Sequence, residues 1–116
     1  MFRIAIAAAA TTLVLAGTAF ADPIEGDYKS SQTGENIKVS ACGASFCMRY
    51  LTGPHKGKQF GSFKPTGNGA YAGSVSDLND GGKTYNGKAK VSGKNLVAGG
   101  CILGGVICKN VTYTRL

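Results

Sequence analysis

Three short alternations of apolar and polar residues, separated by glycine turns, fill the last third of the chain: KTYNGKAKVSGKNLVAGGCILGGVICKNVTYTR, residues 83–115. Tyr85, Ala89 and Val91 alternate with polar residues, a pattern typical of a strand that buries one face. Turn signals rich in glycine lie at residues 92–94 and 104–105. This stretch therefore predicts three consecutive antiparallel strands.

The same pattern extends back to residue 26, and no helical period of any length interrupts it. Patches of period two are separated by Gly, Asn, Asp and Pro, which are the residues that turns prefer. The predicted fold class is all-β, a small antiparallel meander of about eight strands closed into a barrel, because closure removes exposed strand edges. The predicted strands are 26–30, 36–42, 46–51, 59–64, 70–75, 83–92, 95–101 and 106–115.

Alternation along these strands predicts which side chains point into the barrel. The larger inward side chains that could line a ligand cavity are Phe46, Met48, Tyr50, Tyr71, Tyr85 and Tyr113. An eight-stranded barrel can also be filled by its own side chains, so the pattern leaves open whether the interior is hollow. Lys109 falls on the same face as Val111 and Tyr113. Either a bulge turns it outward or it lies at the barrel mouth.

The four cysteines, Cys42, Cys47, Cys101 and Cys108, allow three disulfide pairings. A turn at 104–105 would place Cys101 opposite Cys108, and a turn centred on residues 44–45 would place Cys42 opposite Cys47. Opposed residues of an antiparallel pair lie within disulfide reach, so the local pairings are favoured. The spacings C-x4-C and C-x6-C lack the C-x2-C signature of a zinc site, so we expect no metal.

The first 21 residues have the features of a secretory signal peptide. Arg3 precedes an uncharged apolar or small run, and Ala19-Phe20-Ala21 is a small-x-small cleavage pattern before Asp22. We expect cleavage to leave one domain, residues 22–116, in the periplasm or outside the cell. No later apolar run is long enough to span a membrane.

The chain offers little material for catalysis. It has one histidine and six acidic residues among 116. His55 lies in a lysine-containing loop, no Ser, Cys or Asp partner can be identified for it, and no two carboxylates have a useful spacing. The segment that starts at Asp77 resembles a calcium loop, but Lys88 stands where a bidentate glutamate belongs. We therefore expect no enzyme activity and no cofactor.

The basic side chains are spread over several predicted hairpins. The whole chain carries a net charge of +7, and loss of Arg3 would leave +6. Such lysines attract anionic surfaces, although they also keep small sheet proteins soluble. Nucleic acid binding would require exposed aromatic side chains between the lysines, but the aromatic side chains of these strands are predicted to point inward. We expect no nucleic acid partner.

Several segments across residues 22–116 together resemble the DUF2147 family of exported bacterial proteins. They are 22–28, 42–47, 63–65, 77–88 and 100–115. The resemblance implies a lipocalin-like (calycin) barrel, in which an aromatic residue of the first strand packs beneath an arginine of the last strand. The matching residues here are Tyr28 and Arg115, which we expect to form a structural latch at one barrel end. Family members commonly carry Trp where this chain has Tyr28 and Tyr113.

Two functions fit these expectations. In the first, the barrel is a binding module for a small apolar or amphipathic ligand, held by the six inward side chains. In the second, the protein is a structural or interaction protein of the cell envelope whose basic outer face binds an anionic partner. A hollow interior would favour the first function, and salt-sensitive binding to anionic vesicles would favour the second.

Overall fold

Eight strands in chain order make up the fold, which a computed structural model describes for residues 22–116. The predicted signal peptide and its cleavage site lie outside the described residues. No helix among the described residues is long and apolar enough to cross a membrane. The strands are β1 (Gly26–Ser30), β2 (Asn36–Cys42), β3 (Ser45–Tyr50), β4 (Gln59–Gly67), β5 (Ala70–Asp77), β6 (Lys83–Ser92), β7 (Asn95–Ile102) and β8 (Ile107–Arg115).

The strands form a closed antiparallel barrel in which each pairs with its neighbours in the sequence. Strand β1 also pairs with β8, with Tyr28 opposite Arg115, so the sheet has no free edge. The prediction of an all-β meander closed into a barrel of eight strands is confirmed. Closure satisfies the backbone groups of both terminal strands, which would otherwise offer templates for aggregation.

The register of the β7–β8 hairpin follows the prediction. Cys101 lies opposite Cys108, and the two cysteines form a disulfide bond. The turn between these strands includes Gly104 and Gly105, whose φ angles of 67° and 91° favour glycine. The connection is one residue longer on each side than a two-residue turn, and Leu103 also has a positive φ of 54°.

The predicted register of the β2–β3 hairpin was wrong by two residues on the β3 side, because the turn lies one residue earlier than predicted. The turn is Gly43-Ala44, so Cys42 lies opposite Ser45 and Cys47 lies opposite Ser40. Gly43 takes a φ of 72°, which alanine and serine disfavour, and this draws the turn towards the glycine. Cys42 and Cys47 are then diagonal neighbours, and they still form a disulfide bond with a Cα–Cα distance of 5.9 Å. The two disulfides indicate an oxidising, non-cytoplasmic location.

A β-bulge in β4 shapes the interior. Arg49 pairs with Gln59 and Met48 pairs with Gly61, so Phe60 is an extra residue between them. The bulge lets Phe60 turn inward although strict alternation assigns it and Phe63 to opposite faces. Both phenylalanines are buried in the core. The second irregularity in β4 lies after Pro65, where the strand continues to Gly67 rather than ending at residue 64.

Connection length separates the two ends of the barrel. At the closed end, strands are joined by the two-residue turns 43–44, 68–69 and 93–94. At the open end, the connections are the longer loops 31–35, 51–58, 78–82 and 103–106. The N-terminal segment 22–25 lies at the closed end and contributes Ile24 to the core, with no exposed surface.

Candidate functional site: a cavity at the open end

The barrel holds a cavity of about 520 Å³ that reaches the loops of the open end. Its inner wall is apolar, and its rim is polar. The apolar wall consists of Met48, Phe60, Val75, Ala98, Val111 and Tyr113, and the polar rim includes Gln32, Thr33, Asp77, Asn79, Asp80 and Lys109. The hollow part of the interior thus offers an apolar compartment with hydrogen-bonding groups at its entrance.

The other half of the interior is filled. Phe63 and Tyr28 are among the largest fully buried side chains. Gly87 of β6 makes room for Phe63, because a Cβ built on Gly87 would lie 3.0 Å from the Phe63 ring. Since Ile24 also packs into this region, the core fills the closed end and leaves the cavity accessible from the open end.

The structure brings four of the six predicted lining residues together at the cavity. Met48, Tyr50, Tyr85 and Tyr113 line it, whereas Phe46 and Tyr71 are not among its lining residues. Phe46 and Tyr71 instead pack edge-on to each other, with ring centroids 6.1 Å apart. Both lie near the ends of their strands that face the closed end. Sequence alternation predicted correctly that both side chains point inward, but it did not show how far each lies from the open end.

Lys109 lies at the mouth of the cavity. Strands β7 and β8 pair without a bulge, with Gly100 opposite Lys109 and Ala98 opposite Val111. Lys109 therefore keeps the inward face of Val111, and of the two alternatives that the sequence left open, the mouth is correct. Its side chain is exposed and is the one basic group among the cavity-lining residues.

Phe60 is a lining residue that the sequence analysis missed. Its ring stacks on that of Tyr50, with centroids 4.2 Å apart and planes at 27°. Together the two rings form one wall near the mouth. The F-G-S-F spacing of residues 60–63 was the available signal, since two buried phenylalanines three residues apart on one strand require a bulge.

The 51–58 loop is hydrogen-bonded to β2 and to the 78–82 loop. Thr52 Oγ1 accepts a hydrogen bond from the Asn36 backbone N–H at 2.9 Å. His55 Nε2 lies 2.9 Å from Asn79 Oδ1, in the 78–82 loop. His55 also lies beside Tyr50, with ring centroids 5.8 Å apart. These contacts hold the loop along the rim of the cavity.

Burial of the cavity tyrosines changes their titration. Burial raises the pKa of Tyr50, and the carboxylates of Glu35 and Asp77 raise it further. Burial is also the main cause that raises the pKa of Tyr113, with smaller contributions from Tyr50 and Glu35. Both phenols therefore stay protonated, and uncharged, throughout the neutral and moderately alkaline range.

The closed end is held by one arginine. Arg115 donates from Nη1 to the Glu25 carbonyl at 2.7 Å, and from Nη2 to the Pro23 carbonyl at 2.5 Å and to Tyr28 Oη at 2.7 Å. Its guanidinium carbon lies 4.7 Å from the centre of the Tyr28 ring. The Tyr28 hydroxyl in turn donates to the Ile24 carbonyl at 2.9 Å. The two residues expected to form the latch are in contact, and they link β1, β8 and the N-terminal segment.

The chemistry available to the cavity is binding through apolar contact and a few polar groups. Among residues 22–116, no group of three or more His, Cys, Asp or Glu side chains is placed to hold a metal ion. The charged groups at the rim are Lys109, Asp77 and Asp80. Such a site can enclose an apolar body and contact a polar group at the mouth.

Comparison with known proteins identifies a family. The model of the DUF2147 family, described as uncharacterized proteins conserved in bacteria, matches residues 51–115, which is more than half of the chain. The chain belongs to this family. The match includes strands β4 to β8 and the connections between them. No curated protein and no solved structure matches.

Proposed function

We propose that this member of the DUF2147 family binds a small apolar or amphipathic molecule in the cavity at its open end. The observation that carries the proposal is the cavity of about 520 Å³, with an apolar inner wall and a polar rim. Its volume lies in the range of roughly 300–1,000 Å³ that is usual for small-molecule sites. A barrel selected only for stability would fill this space, because empty apolar volume is destabilising.

The rim supports an amphipathic ligand over a purely apolar one. Lys109, Asp77 and Asn79 lie at the mouth, while the buried Met48 and Ala98 form the deeper wall. A ligand with an apolar body and a polar end would satisfy both zones, because its polar end would remain near water and hydrogen-bonding groups. The proposal involves no catalytic step, cofactor or nucleic acid.

The setting proposed for this activity is the periplasm or the extracellular medium, after cleavage between Ala21 and Asp22. The two disulfide bonds support it, because they persist in oxidising compartments. The apolar N-terminal run with its small-x-small end supports it independently.

A binding titration with N-phenyl-1-naphthylamine, an apolar dye that fluoresces in apolar surroundings, tests the proposal. We expect saturable binding of one dye per chain to the parent protein. Val111→Phe should weaken binding by about tenfold or more, because the larger ring occupies cavity volume. Val75→Phe is a second filling variant on a different strand, in case one of them does not fold.

The matched control is Val97→Phe. Val97 lies on β7 opposite Thr112, one step away from the Ala98 and Val111 pair, and faces the outside. This substitution adds the same ring on the outer wall and should leave dye binding unchanged. Absence of saturable binding to the parent, or equal binding by folded filling variants and parent, would refute the proposal.

A further inference from the structure

The β7–β8 connection exposes a cluster of large aliphatic side chains, which we call the apolar tip: Ile102, Leu103, Val106 and Ile107. Their exposed fractions are 47, 69, 81 and 52%. Elsewhere in residues 22–116, the other exposed large apolar side chains are Val97 and Leu116, which are not part of this cluster. Single exposed apolar residues are ordinary, but four adjacent ones indicate a contact surface.

The apolar tip is presented on a rigid base. The Cys101–Cys108 disulfide joins the two strands immediately below it, and Ile102 pairs with Ile107. Gly104 and Gly105 form the apex of the turn. Because the base is crosslinked, inserting the tip into a partner would cost little additional ordering of the backbone.

Basic side chains flank the apolar tip. A Cβ built on Gly105 would lie 3.3 Å from Lys88 Nζ, so this ammonium group lies beside the turn. Lys109 follows the disulfide on β8, and residues 101–109 contain no acidic residue. Residues 22–116 carry twelve basic and six acidic side chains, so the net charge of the described chain is +6. Asp77 ends β5 and Asp80 lies in the 78–82 loop, so the acidic groups of the cavity rim belong to other elements than the tip.

An aliphatic apex with lysines at its base matches the layers of an anionic bilayer. Aliphatic side chains enter the boundary of the acyl chains, while lysine ammonium groups remain at the level of the phosphates. A protein partner is less well matched, because the tip is a protruding turn without the aromatic or arginine side chains that dominate protein interfaces. A second copy would bring two net positive surfaces together.

We propose that the apolar tip inserts into the interfacial region of an anionic phospholipid membrane, with Lys88 and Lys109 at headgroup level. Ile102 and Ile107 also line the cavity, so insertion places the cavity mouth at the membrane surface. The aliphatic side chains of the tip provide the insertion, and these two lysines add an electrostatic contact with the headgroups. The inference does not depend on the cavity being occupied.

A single tryptophan tests insertion directly, since the natural chain contains none. Val106→Trp places the reporter at the apex, and Val97→Trp places it on the outer wall as the matched control. With vesicles of phosphatidylglycerol and phosphatidylcholine, the emission of the Val106→Trp protein should shift to the blue and be quenched by brominated acyl chains. The emission of the Val97→Trp protein should change in neither way.

Vesicle sedimentation measures the strength of the same contact. Leu103→Asn with Val106→Asn should lower partitioning into anionic vesicles by about tenfold or more, because two aliphatic side chains no longer leave water. Asparagine suits the positive φ of residue 103. Val97→Asn should have no effect. Lys88→Gln should weaken binding to anionic vesicles more at low salt than at high salt.

The outcomes separate the alternatives. Failure of the parent to bind anionic vesicles, or no blue shift of the Val106→Trp protein, overturns the proposal. A concentration-dependent dimer in sedimentation velocity that Leu103→Asn with Val106→Asn dissociates would assign the tip to a second copy, and also overturns it. Dye binding tests only the cavity, and the vesicle experiments test only the tip. Failure of one proposal therefore does not decide the other.

Discussion

Replacing Arg115 by alanine should loosen the closed end of the barrel. The substitution removes three hydrogen bonds, to the carbonyls of Pro23 and Glu25 and to the Tyr28 hydroxyl. It also removes the guanidinium from the Tyr28 ring. The N-terminal segment would then keep fewer contacts with the barrel, and Ile24, which is wholly buried, would lose part of what holds it in place.

The size of the effect follows from these contacts. Arg115 is half-buried, so solvent weakens its hydrogen bonds, and each contributes about 1 kcal/mol, the typical net value for a hydrogen bond. The ring contact adds about 0.5–1 kcal/mol. The side-chain entropy that the alanine variant regains offsets roughly 1–2 kcal/mol. The net loss in the free energy of unfolding is about 1.5–3 kcal/mol, or roughly 6–24 °C in melting temperature for a domain of this size.

Chemical denaturation followed by circular dichroism measures this loss. A double-mutant cycle with Tyr28→Phe and Arg115→Ala isolates the hydrogen bond between the guanidinium and the Tyr28 hydroxyl, with an expected coupling of about 1 kcal/mol. Arg115→Lys should recover less than half of the loss, because an ammonium group cannot reach all three acceptors in the fork geometry of a guanidinium.

Arg49→Ala is the matched control. Arg49 is an exposed arginine on β3 whose side chain lies 3.5 Å from Gln59 Oε1, and its removal should cost less than about 0.5 kcal/mol. If Arg115→Ala were as stable as the parent, or if Arg49→Ala were equally destabilised, the argument for an arginine that holds the closed end would be wrong.

Three further predictions concern titration, crosslinking and packing. Burial raises the pKa of Tyr113 in the folded state. The protonated phenol therefore stabilises the fold fully below the ordinary tyrosine pKa near 10, and this stabilisation is lost as the pH rises above that value. Urea unfolding across that range should show a smaller alkaline loss for Tyr113→Phe than for the parent, and equal losses would contradict this. Cys101→Ser with Cys108→Ser should lower the free energy of unfolding by about 2 kcal/mol, because loss of the crosslink raises the entropy of the unfolded chain. Thermal melts measure this effect, and added reductant should lower the melting temperature of the parent as well. Gly87→Ala should cost about 1–3 kcal/mol because the new methyl group meets the Phe63 ring, and a Gly87→Ala protein as stable as the parent would show that the ring moves freely.

Much of the fold was predictable because it depends on local signals. Period-two alternation gave the strand faces, and the glycine pair 104–105 gave the register that places Cys101 opposite Cys108. The β2–β3 register was missed because one glycine, Gly43, outweighed the symmetry of the two cysteines around their turn. A disulfide tolerates both opposed and diagonal partners, so the correct pairing did not guarantee the correct register.

The candidate site was less predictable because it depends on depth within the barrel. Phe46 and Tyr113 share an inward face, but Phe46 is the second residue of β3, near the closed end, and does not line the cavity. Phe60 was missed since a bulge reverses the face that alternation assigns to it. Burial of Ile24 was missed because the segment before β1 has no periodic pattern to indicate it.

The lengths of the connections make the two ends of the barrel different, and these lengths can be read from the sequence. Two-residue turns bring neighbouring strands together and leave no chain to cover or surround an opening, whereas loops of four to eight residues can form a rim. Short and long connections alternate along this chain, so all the long ones emerge at one end of the meander. The cavity, the His55–Asn79 contact and the apolar tip lie at that end. The N-terminal segment and Arg115 close the other end. Within residues 22–116, the cavity therefore opens towards the long loops, and the proposed membrane contact lies beside that opening.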